Sequence, residues 1–76
     1  MSVKIYSTPS CAYCTLAKQY FSQKNISYTD YDVSRDRAKA EEMVRKTGQL
    51  GVPVIEINGK IIIGFNRNAI EKALVN

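Results

Sequence analysis

The stretch at residues 7–21, STPSCAYCTLAKQYF, decides the fold, because a strand pattern ends in it and a helical pattern begins. The preceding residues 3–6 (VKIY) are strand formers that alternate in polarity, and the Thr-Pro-Ser run interrupts them. Both cysteines of the chain, Cys11 and Cys14, stand just after this interruption with two residues between them. We therefore expect the cysteine pair at the junction of a first strand and a first helix.

A second strand is expected after this helix. Ser10 is a plausible N-cap for the helix, whose apolar pattern fades near residues 24–25. Residues 26–33 alternate in polarity again, which predicts a strand. Its inward-facing positions are expected to be Ile26, Tyr28 and either Tyr31 or Val33. A strand, a helix and a second strand in succession imply parallel strands joined by a right-handed crossover.

The next segment predicts a second helix. Ser34 is a candidate N-cap, the helical pattern runs through Thr47, and Gly48 ends it because glycine readily adopts the left-handed conformation found after helices. The apolar face of this helix consists of Ala40, Met43 and Val44.

A hairpin and a third helix complete the pattern. Asn58-Gly59 is a strong signal for a type I′ turn, and it separates two strand-like segments at residues 54–57 and 60–63. Asn66 is the candidate N-cap of the last helix. The apolar residues of that helix are Ile70, Ala73 and Leu74.

Together these patterns predict an α/β chain of order β-α-β-α-β-β-α. The hairpin makes the last two strands antiparallel, whereas the first two are parallel. The expected architecture is therefore a four-stranded mixed sheet with three helices on its two faces. A chain of 76 residues allows one domain, residues 1–76, and no second core.

Composition and charge argue against several functional classes. No segment approaches the roughly 20 apolar residues of a membrane-spanning helix, and no export leader is recognisable, so we expect a cytoplasmic protein without membrane contact. The net charge of +4 comes from scattered basic residues, of which Arg35, Arg37 and Lys39 form the densest cluster. Such a cluster is typical of a solvated helix face, so no nucleic-acid partner is expected. We expect a monomer.

The two cysteines fit redox chemistry better than a metal site or a structural disulfide. The chain has no histidine and no third cysteine, so it cannot close a four-ligand zinc site alone, although a symmetric dimer is an alternative. A disulfide across so short a loop would stabilise the fold little. The N–H groups and dipole of a helix start favour the thiolate of Cys11, and Lys18 adds a weak positive field. Cys14, one turn further and deeper inside, is placed to attack a mixed disulfide on Cys11.

Four motifs resemble the glutaredoxin family, within the thioredoxin-like superfamily. Cys-Ala-Tyr-Cys at residues 11–14 resembles the Cys-Pro-Tyr-Cys of the family. Residues 47–53 (TGQLGVP) resemble the loop before its cis-proline, and residues 57–60 (INGK) resemble its hairpin. Gly64 matches the glycine after its last strand. These motifs occur in the family's order and extend over nearly the whole chain, so the resemblance implies a minimal thioredoxin fold.

The resemblance implies thiol–disulfide exchange, with Cys11 as the nucleophile and Cys14 as the resolving cysteine. It also implies a cis Val52-Pro53 bond beside the sulfurs, where the Val52 backbone would pair with the cysteine of a bound substrate. No metal site is implied by these positions. The other positions expected to contact substrate or glutathione are Thr8, Tyr13, Gln49 and Asn66.

Five positions depart from the family's pattern. Ala12 replaces the usual proline, and Gly51 stands where threonine is common. Thr8 replaces a lysine that often precedes the first cysteine by three residues. Asn66 and Arg67 replace two aspartates that hold the ammonium group of glutathione, so Arg67 is expected to repel that group.

These departures leave the electron donor open. Glutathione is the expected co-substrate, with no tightly bound cofactor, and disulfide-containing proteins are the expected partners. A thioredoxin reductase is the alternative donor. Ala12 keeps a further alternative open, because some glutaredoxins without that proline hold a [2Fe–2S] cluster between two subunits.

Overall fold

The computed structural model describes residues 2–75, which form a four-stranded sheet and three helices. In chain order the elements are β1 Val3–Ser7, α1 Ala12–Gln23, β2 Thr29–Asp32, α2 Arg37–Thr47, β3 Val54–Ile57, β4 Lys60–Ile63 and α3 Arg67–Leu74. The strand order is β2-β1-β3-β4, with β1 parallel to β2 and β3 antiparallel to both β1 and β4. The predicted element order and mixed sheet are confirmed.

Helices cover both faces of the sheet. Successive residues of β1 point to opposite faces, so Ile5 packs on the side of α1 and α3 whereas Tyr6 packs on the side of α2. The α2 side is a small cluster in which Met43 meets Tyr6 and Val54. The larger cluster, on the α1 and α3 side, contains Val3, Ile5, Ala17, Tyr20, Phe21, Ile55, Ile57, Ile62, Ile70 and Ala73. Burial of α1 on this side fixes the start of that helix beside the end of β1.

The predicted turns of the second half are confirmed. Asn58 and Gly59 have φ values of 50° and 87°, and a type I′ turn requires positive φ at both positions. Gly48 follows α2 with a φ of 73° and donates its N–H to the carbonyl of Val44. Asn66 caps α3 as expected, because its Oδ1 accepts the N–H of Ala69 at 3.1 Å.

The predicted cap of the first helix is wrong. Cys11, and not Ser10, is the N-cap of α1: its backbone is extended (φ −94°, ψ 114°) and its sulfur accepts the N–H of Cys14. Ser10 lies one residue earlier in an exposed turn. The cysteine side chain thus occupies the position that a serine hydroxyl usually takes.

The predicted cap of the second helix is also wrong. Asp36 caps α2, since its Oδ1 accepts the N–H of Lys39 at 3.1 Å. Ser34 instead belongs to the preceding turn, where Asp32 accepts hydrogen bonds from both its N–H and its hydroxyl. A local carboxylate therefore keeps Ser34 out of the helix.

The second strand is shorter than the alternation in the sequence indicates. It comprises Thr29–Asp32 rather than residues 26–33, and it lies at the edge of the sheet, where β1 is its partner. The side chains expected to face inward are partly buried and divide between the two clusters: Ile26 and Tyr28 on the α1 side, and Tyr31 and Val33 on the α2 side.

The basic cluster beside α2 is largely a solvated surface, as expected. Arg35 and Arg37 are exposed and approach Asp32 and Glu41 at 3.8 and 3.5 Å. Lys39 is partly buried, with its Nζ 4.3 Å from the centre of the Tyr31 ring. Within residues 2–75 no helix combines the length and apolar character needed to cross a membrane.

Candidate functional site

The sulfur of Cys11 lies between the start of α1 and the loop before β3. The N–H of Cys14 donates to it at 3.2 Å, and the thiol points to the carbonyl of Val52 at 3.8 Å. The N–H of Cys11 donates to the carbonyl of Thr8 at 3.4 Å, which closes the turn before the helix. The Cys11 sulfur therefore accepts one of the N–H groups that a helix start leaves without an intrahelical partner.

Cys14 lies one turn along α1 and is fully buried, whereas Cys11 is partly exposed. Burial raises the pKa of the Cys14 thiol to about 12, and its hydrogen bond with Cys11 contributes in the same direction. At neutral pH the inner cysteine is therefore a protonated thiol. The two sulfurs thus differ in solvent access.

The loop before β3 brings Val52 and Pro53 to the cysteine pair. The peptide bond between them is cis, as the family resemblance implies. Pro53 is buried, and its carbonyl accepts the N–H of Gly64 at 2.8 Å, which ties the loop to the end of β4. Val52 is half-buried against the α2 cluster, and its carbonyl is the group that faces Cys11.

Gln49 uses its side-chain amide within its own loop. Its Oε1 accepts the N–H of Gly51 at 2.6 Å, and its Nε2 donates to the carbonyl of Gly51 at 3.1 Å. A side chain at position 51 would meet this amide, because a Cβ built there lies 2.6 Å from the Gln49 Oε1. The glycine that departs from the family's threonine is therefore what lets Gln49 fold back.

The remaining predicted binding residues are Thr8, Tyr13 and Asn66, and they lie in different elements or loops. Thr8 contacts Cys11 through its carbonyl, and the Tyr13 side chain is 63% exposed beside the pair. Asn66 lies at the start of α3, where its side chain caps the helix. The hydrogen bonds of residues 2–75 do not connect the side chains of Gln49 or Asn66 to either cysteine.

Arg67 is the first residue of α3, and its cation is partly engaged. Its Nη2 lies 3.9 Å from the Oε2 of Glu71, and its guanidinium carbon lies 5.3 Å from the centre of the Tyr20 ring. Phe65 packs edge-on against the same ring, with centroids 5.9 Å apart, so this aromatic residue joins the core. A positive charge is thus held where the family carries a carboxylate.

The structure adds an acidic residue to the cysteine environment that the sequence pattern did not indicate. Asp30 of β2 accepts the hydroxyl hydrogen bond of Ser7 at 2.6 Å, and its other oxygen pairs with the Nζ of Lys18 at 2.9 Å. The chain has no acidic residue before Asp30, so this contact arises only through the parallel pairing of β1 and β2. In the part of the chain that the structure describes, no group of three or more metal-binding side chains is found.

Comparison with known proteins agrees with this site. The sequence model of the glutaredoxin family matches residues 3–62. The chain belongs to the glutaredoxin family. This glutaredoxin is 47% identical over 72 residues to a glutaredoxin-like 8.6 kDa protein in the rubredoxin operon of Clostridium pasteurianum, a match that covers 95% of this chain and 96% of that protein.

Solved structures share the fold of this glutaredoxin. It aligns with the thioredoxin-like protein BC3987 at a TM-score of 0.88 and 22% identity, over 95% of this chain and 99% of the other. A buckwheat glutaredoxin solved in complex with glutathione aligns at a TM-score of 0.78 and 26% identity, over 96% and 72% of the two chains. The expected thioredoxin-like fold is confirmed, and the chain is a glutaredoxin-like thiol–disulfide redox protein.

Proposed function

We propose that this glutaredoxin is a dithiol oxidoreductase that reduces protein disulfides or glutathione mixed disulfides. One observation carries the proposal: the Cys11 sulfur caps α1 and accepts the N–H of Cys14, while Cys14 is buried one turn further along. The outer sulfur is partly exposed, whereas the inner one is buried and is reached only after a disulfide forms on Cys11.

In the proposed cycle the Cys11 thiolate attacks a substrate disulfide and displaces one of its sulfurs. The resulting mixed disulfide is attacked by Cys14, which releases the second substrate sulfur and leaves a disulfide between the two cysteines. A donor thiol then reduces this disulfide. We place the protein as a single-domain monomer in the cytoplasm, where reducing conditions restore free thiols.

Glutathione is the donor that we propose first. The family match and the glutathione complex of the buckwheat relative support it. In this proposal the Val52 backbone beside Pro53 pairs with the cysteine of glutathione or of a substrate. Thr8, Tyr13, Gln49 and Asn66 form the rim of that site.

A thioredoxin reductase is the second candidate donor, and two observations favour it. The Gln49 amide is already hydrogen-bonded to Gly51, so it is less free to hold a glutathione carboxylate. Arg67 presents a cation where an ammonium group would bind. A flavoprotein reductase needs neither contact.

The cysteine roles are tested by two substitutions. We expect Cys11→Ser to lose disulfide reductase activity to the uncatalysed rate, because it removes the attacking sulfur. Cys14→Ser should retain activity toward a glutathionylated peptide, since that reaction needs a single thiolate and free glutathione. Ser10→Ala is the matched control, because Ser10 is exposed and does not cap α1. Equal losses in both cysteine variants on the glutathionylated peptide would contradict the assigned roles.

The donor is tested by reducing the oxidised protein in two coupled assays. One contains glutathione and its reductase, and the other contains thioredoxin reductase, each with NADPH. Faster reduction in the first assay supports glutathione as the donor. Reduction in the second assay alone would make the flavoprotein reductase the donor.

A further inference from the structure

Lys18 lies one helical turn after Cys14 on α1 and is held there by two strands. Its Nζ lies 2.9 Å from one carboxylate oxygen of Asp30, and the other oxygen accepts the hydroxyl hydrogen bond of Ser7 at 2.6 Å. Ser7 is the last residue of β1 and is almost fully buried. The Lys18 and Asp30 side chains are 29% and 34% exposed. The ammonium group is therefore positioned from the core side rather than free in solvent.

This position matters because the inner cysteine must lose a proton before it can attack. Residues i and i+4 of a helix are neighbours, so Lys18 lies next to Cys14. The titratable groups that act on Cys14 are Cys11 and Lys18, and those that act on Lys18 are Asp30, Tyr28 and Cys14. Once Cys11 is bound in a mixed disulfide its sulfur carries no charge. Of the two titratable groups that act on Cys14, only Lys18 then carries a charge.

The directions of the pKa shifts agree with this geometry. Burial raises the pKa of Cys14 to about 12, and Lys18 acts in the opposite direction. The hydrogen bond with Asp30 raises the pKa of Lys18, so the ammonium form persists to higher pH than it does in a free lysine. Asp30 thereby maintains both the place and the charge of Lys18.

We propose that Lys18, held by Asp30 and Ser7, is a positioning residue that stabilises the Cys14 thiolate during the resolving step. This role rests on the proposed function, and it would explain how the fully buried Cys14 becomes reactive. In the step, Cys14 gives its proton to water and its sulfur attacks the Cys11 sulfur. A bond forms between these two sulfurs as the bond from Cys11 to the substrate sulfur breaks. In this step Cys14 is oxidised, Cys11 remains in a disulfide, and the substrate sulfur is reduced; it leaves as a thiolate and takes a proton from water.

The resolving step is measured with a chromogenic aromatic disulfide, 5,5′-dithiobis(2-nitrobenzoate), at one equivalent. Attack by Cys11 releases a first nitrothiobenzoate, and attack by Cys14 on the mixed disulfide releases a second. We expect Lys18→Met to slow the second release by about fivefold, equivalent to about 1 kcal/mol, because a partly exposed charge contributes up to that amount. The first release should stay within about twofold, since Lys18 lies about two helical turns from Cys11 and a partly exposed charge at that separation contributes only tenths of a kcal/mol.

Three further variants separate electrostatics from structure. Lys18→Arg retains the charge and should restore the second release. Lys24→Met removes the same charge from the end of the same helix and should have no effect, because Lys24 lies over the Tyr20 ring and not beside Cys14. Asp30→Asn should slow the second release, because Lys18 is then no longer held beside Cys14. The double variant Lys18→Met/Asp30→Asn should be no slower than Lys18→Met alone. Additive losses would overturn the role of Asp30.

The pH profile of the second release decides the mechanism. If Lys18 stabilises the thiolate, Lys18→Met moves the midpoint of the profile to higher pH, and the rates of variant and wild type converge once the thiol is ionised in both. A lower plateau with an unchanged midpoint would overturn the proposal. Cys14→Ser must release a single equivalent, and if the wild-type protein also releases only one, the proposed dithiol function fails before the role of Lys18 is at issue.

Discussion

Cys11 uses its sulfur as a helix cap, and in the proposed cycle the same sulfur is the attacking atom. A cap must have an extended backbone and a side-chain acceptor aimed at the N–H three residues ahead, and Cys11 has both. The N–H that it accepts belongs to Cys14, so the spacing of two intervening residues serves the cap as well as the disulfide.

Arg67 is the residue at which glutathione use can be tested directly. We expect Arg67→Asp to lower the KM for glutathione by at most about fivefold, because an exposed charge contributes 1 kcal/mol or less. If glutathione places its ammonium group beside α3, the new carboxylate would attract that group, and it would also suit the start of the helix. The measurement is the glutathione-coupled reduction rate as a function of glutathione concentration.

Arg67→Gln is the control for this prediction, because it removes the cation without adding an anion. It should give a smaller decrease in KM than the aspartate variant, and both effects should shrink at high salt. An unchanged or higher KM for Arg67→Asp at low salt would mean that glutathione does not place its ammonium group beside α3.

At the scale of elements, each helix start is determined by one side-chain acceptor. Asn66 could be recognised from the sequence, whereas Asp36 and Cys11 each lie one or two residues beyond the serine that the pattern favoured. In each case the serine has the right chemistry but the wrong backbone position. The turn before the helix, which holds Ser34 through Asp32, decides where the helix begins.

The cap of α2 gives a stability prediction. Asp36→Ala should lower the free energy of unfolding by about 1 kcal/mol, because it leaves the Lys39 N–H without its acceptor. Ser34→Ala should cost about 0.5 kcal/mol or less, as is usual for exposed positions. Urea unfolding monitored by circular dichroism measures both, and a larger loss in Ser34→Ala than in Asp36→Ala would contradict the observed cap.

At the scale of the whole molecule, the α2 side of the sheet contains a partly exposed polar network around the buried Tyr6. The Tyr6 hydroxyl donates to Glu42 at 2.6 Å and accepts from Lys46 at 3.3 Å, and Lys46 also pairs with Glu56 at 2.7 Å. Burial, together with the hydrogen bond to Glu42, raises the pKa of Tyr6 to about 12. This network joins β1, α2 and β3 across the smaller of the two clusters.

The network predicts how stability falls in alkali. The pKa of Tyr6 rises from 10.0 in the unfolded chain to about 12 in the native one, so its contribution is complete below pH 10 and is lost as pH rises toward 12. Between pH 10 and 12 the unfolding free energy of Tyr6→Phe should fall less steeply with pH than that of the wild type. The two slopes should differ by at most about 1.4 kcal/mol per pH unit. Urea unfolding at several pH values in this range gives the slope.

The control for the alkaline prediction is Tyr13→Phe, which removes an exposed hydroxyl and should leave the slope unchanged. Tyr6→Phe should also be less stable at neutral pH, because Glu42 loses its donor. If the unfolding free energy fell equally steeply with pH in the wild type and in Tyr6→Phe, the pKa of Tyr6 would be the same in the folded and unfolded protein, which would contradict the prediction.

Local periodicity determined the elements of this protein and the place of its cysteines. Alternating and helical patterns depend on neighbours within one turn or two, and such signals are complete in the sequence. The hairpin at Asn58 was predictable for the same reason, since its positive φ values suit few residues. The strand–helix junction at Cys11 and Cys14 likewise needed no distant contact to be recognised.

Tertiary structure alone decided which groups meet at the cysteines. Asp30 reaches Lys18 because β2 pairs in register with β1, and the Val52 carbonyl reaches Cys11 because the loop before β3 crosses the start of α1. Both contacts join residues from different elements, so no local sequence pattern could predict them. Burial also sets the protonation of Cys14, because the cost of charging a sulfur depends on how much solvent the packed helix and sheet exclude.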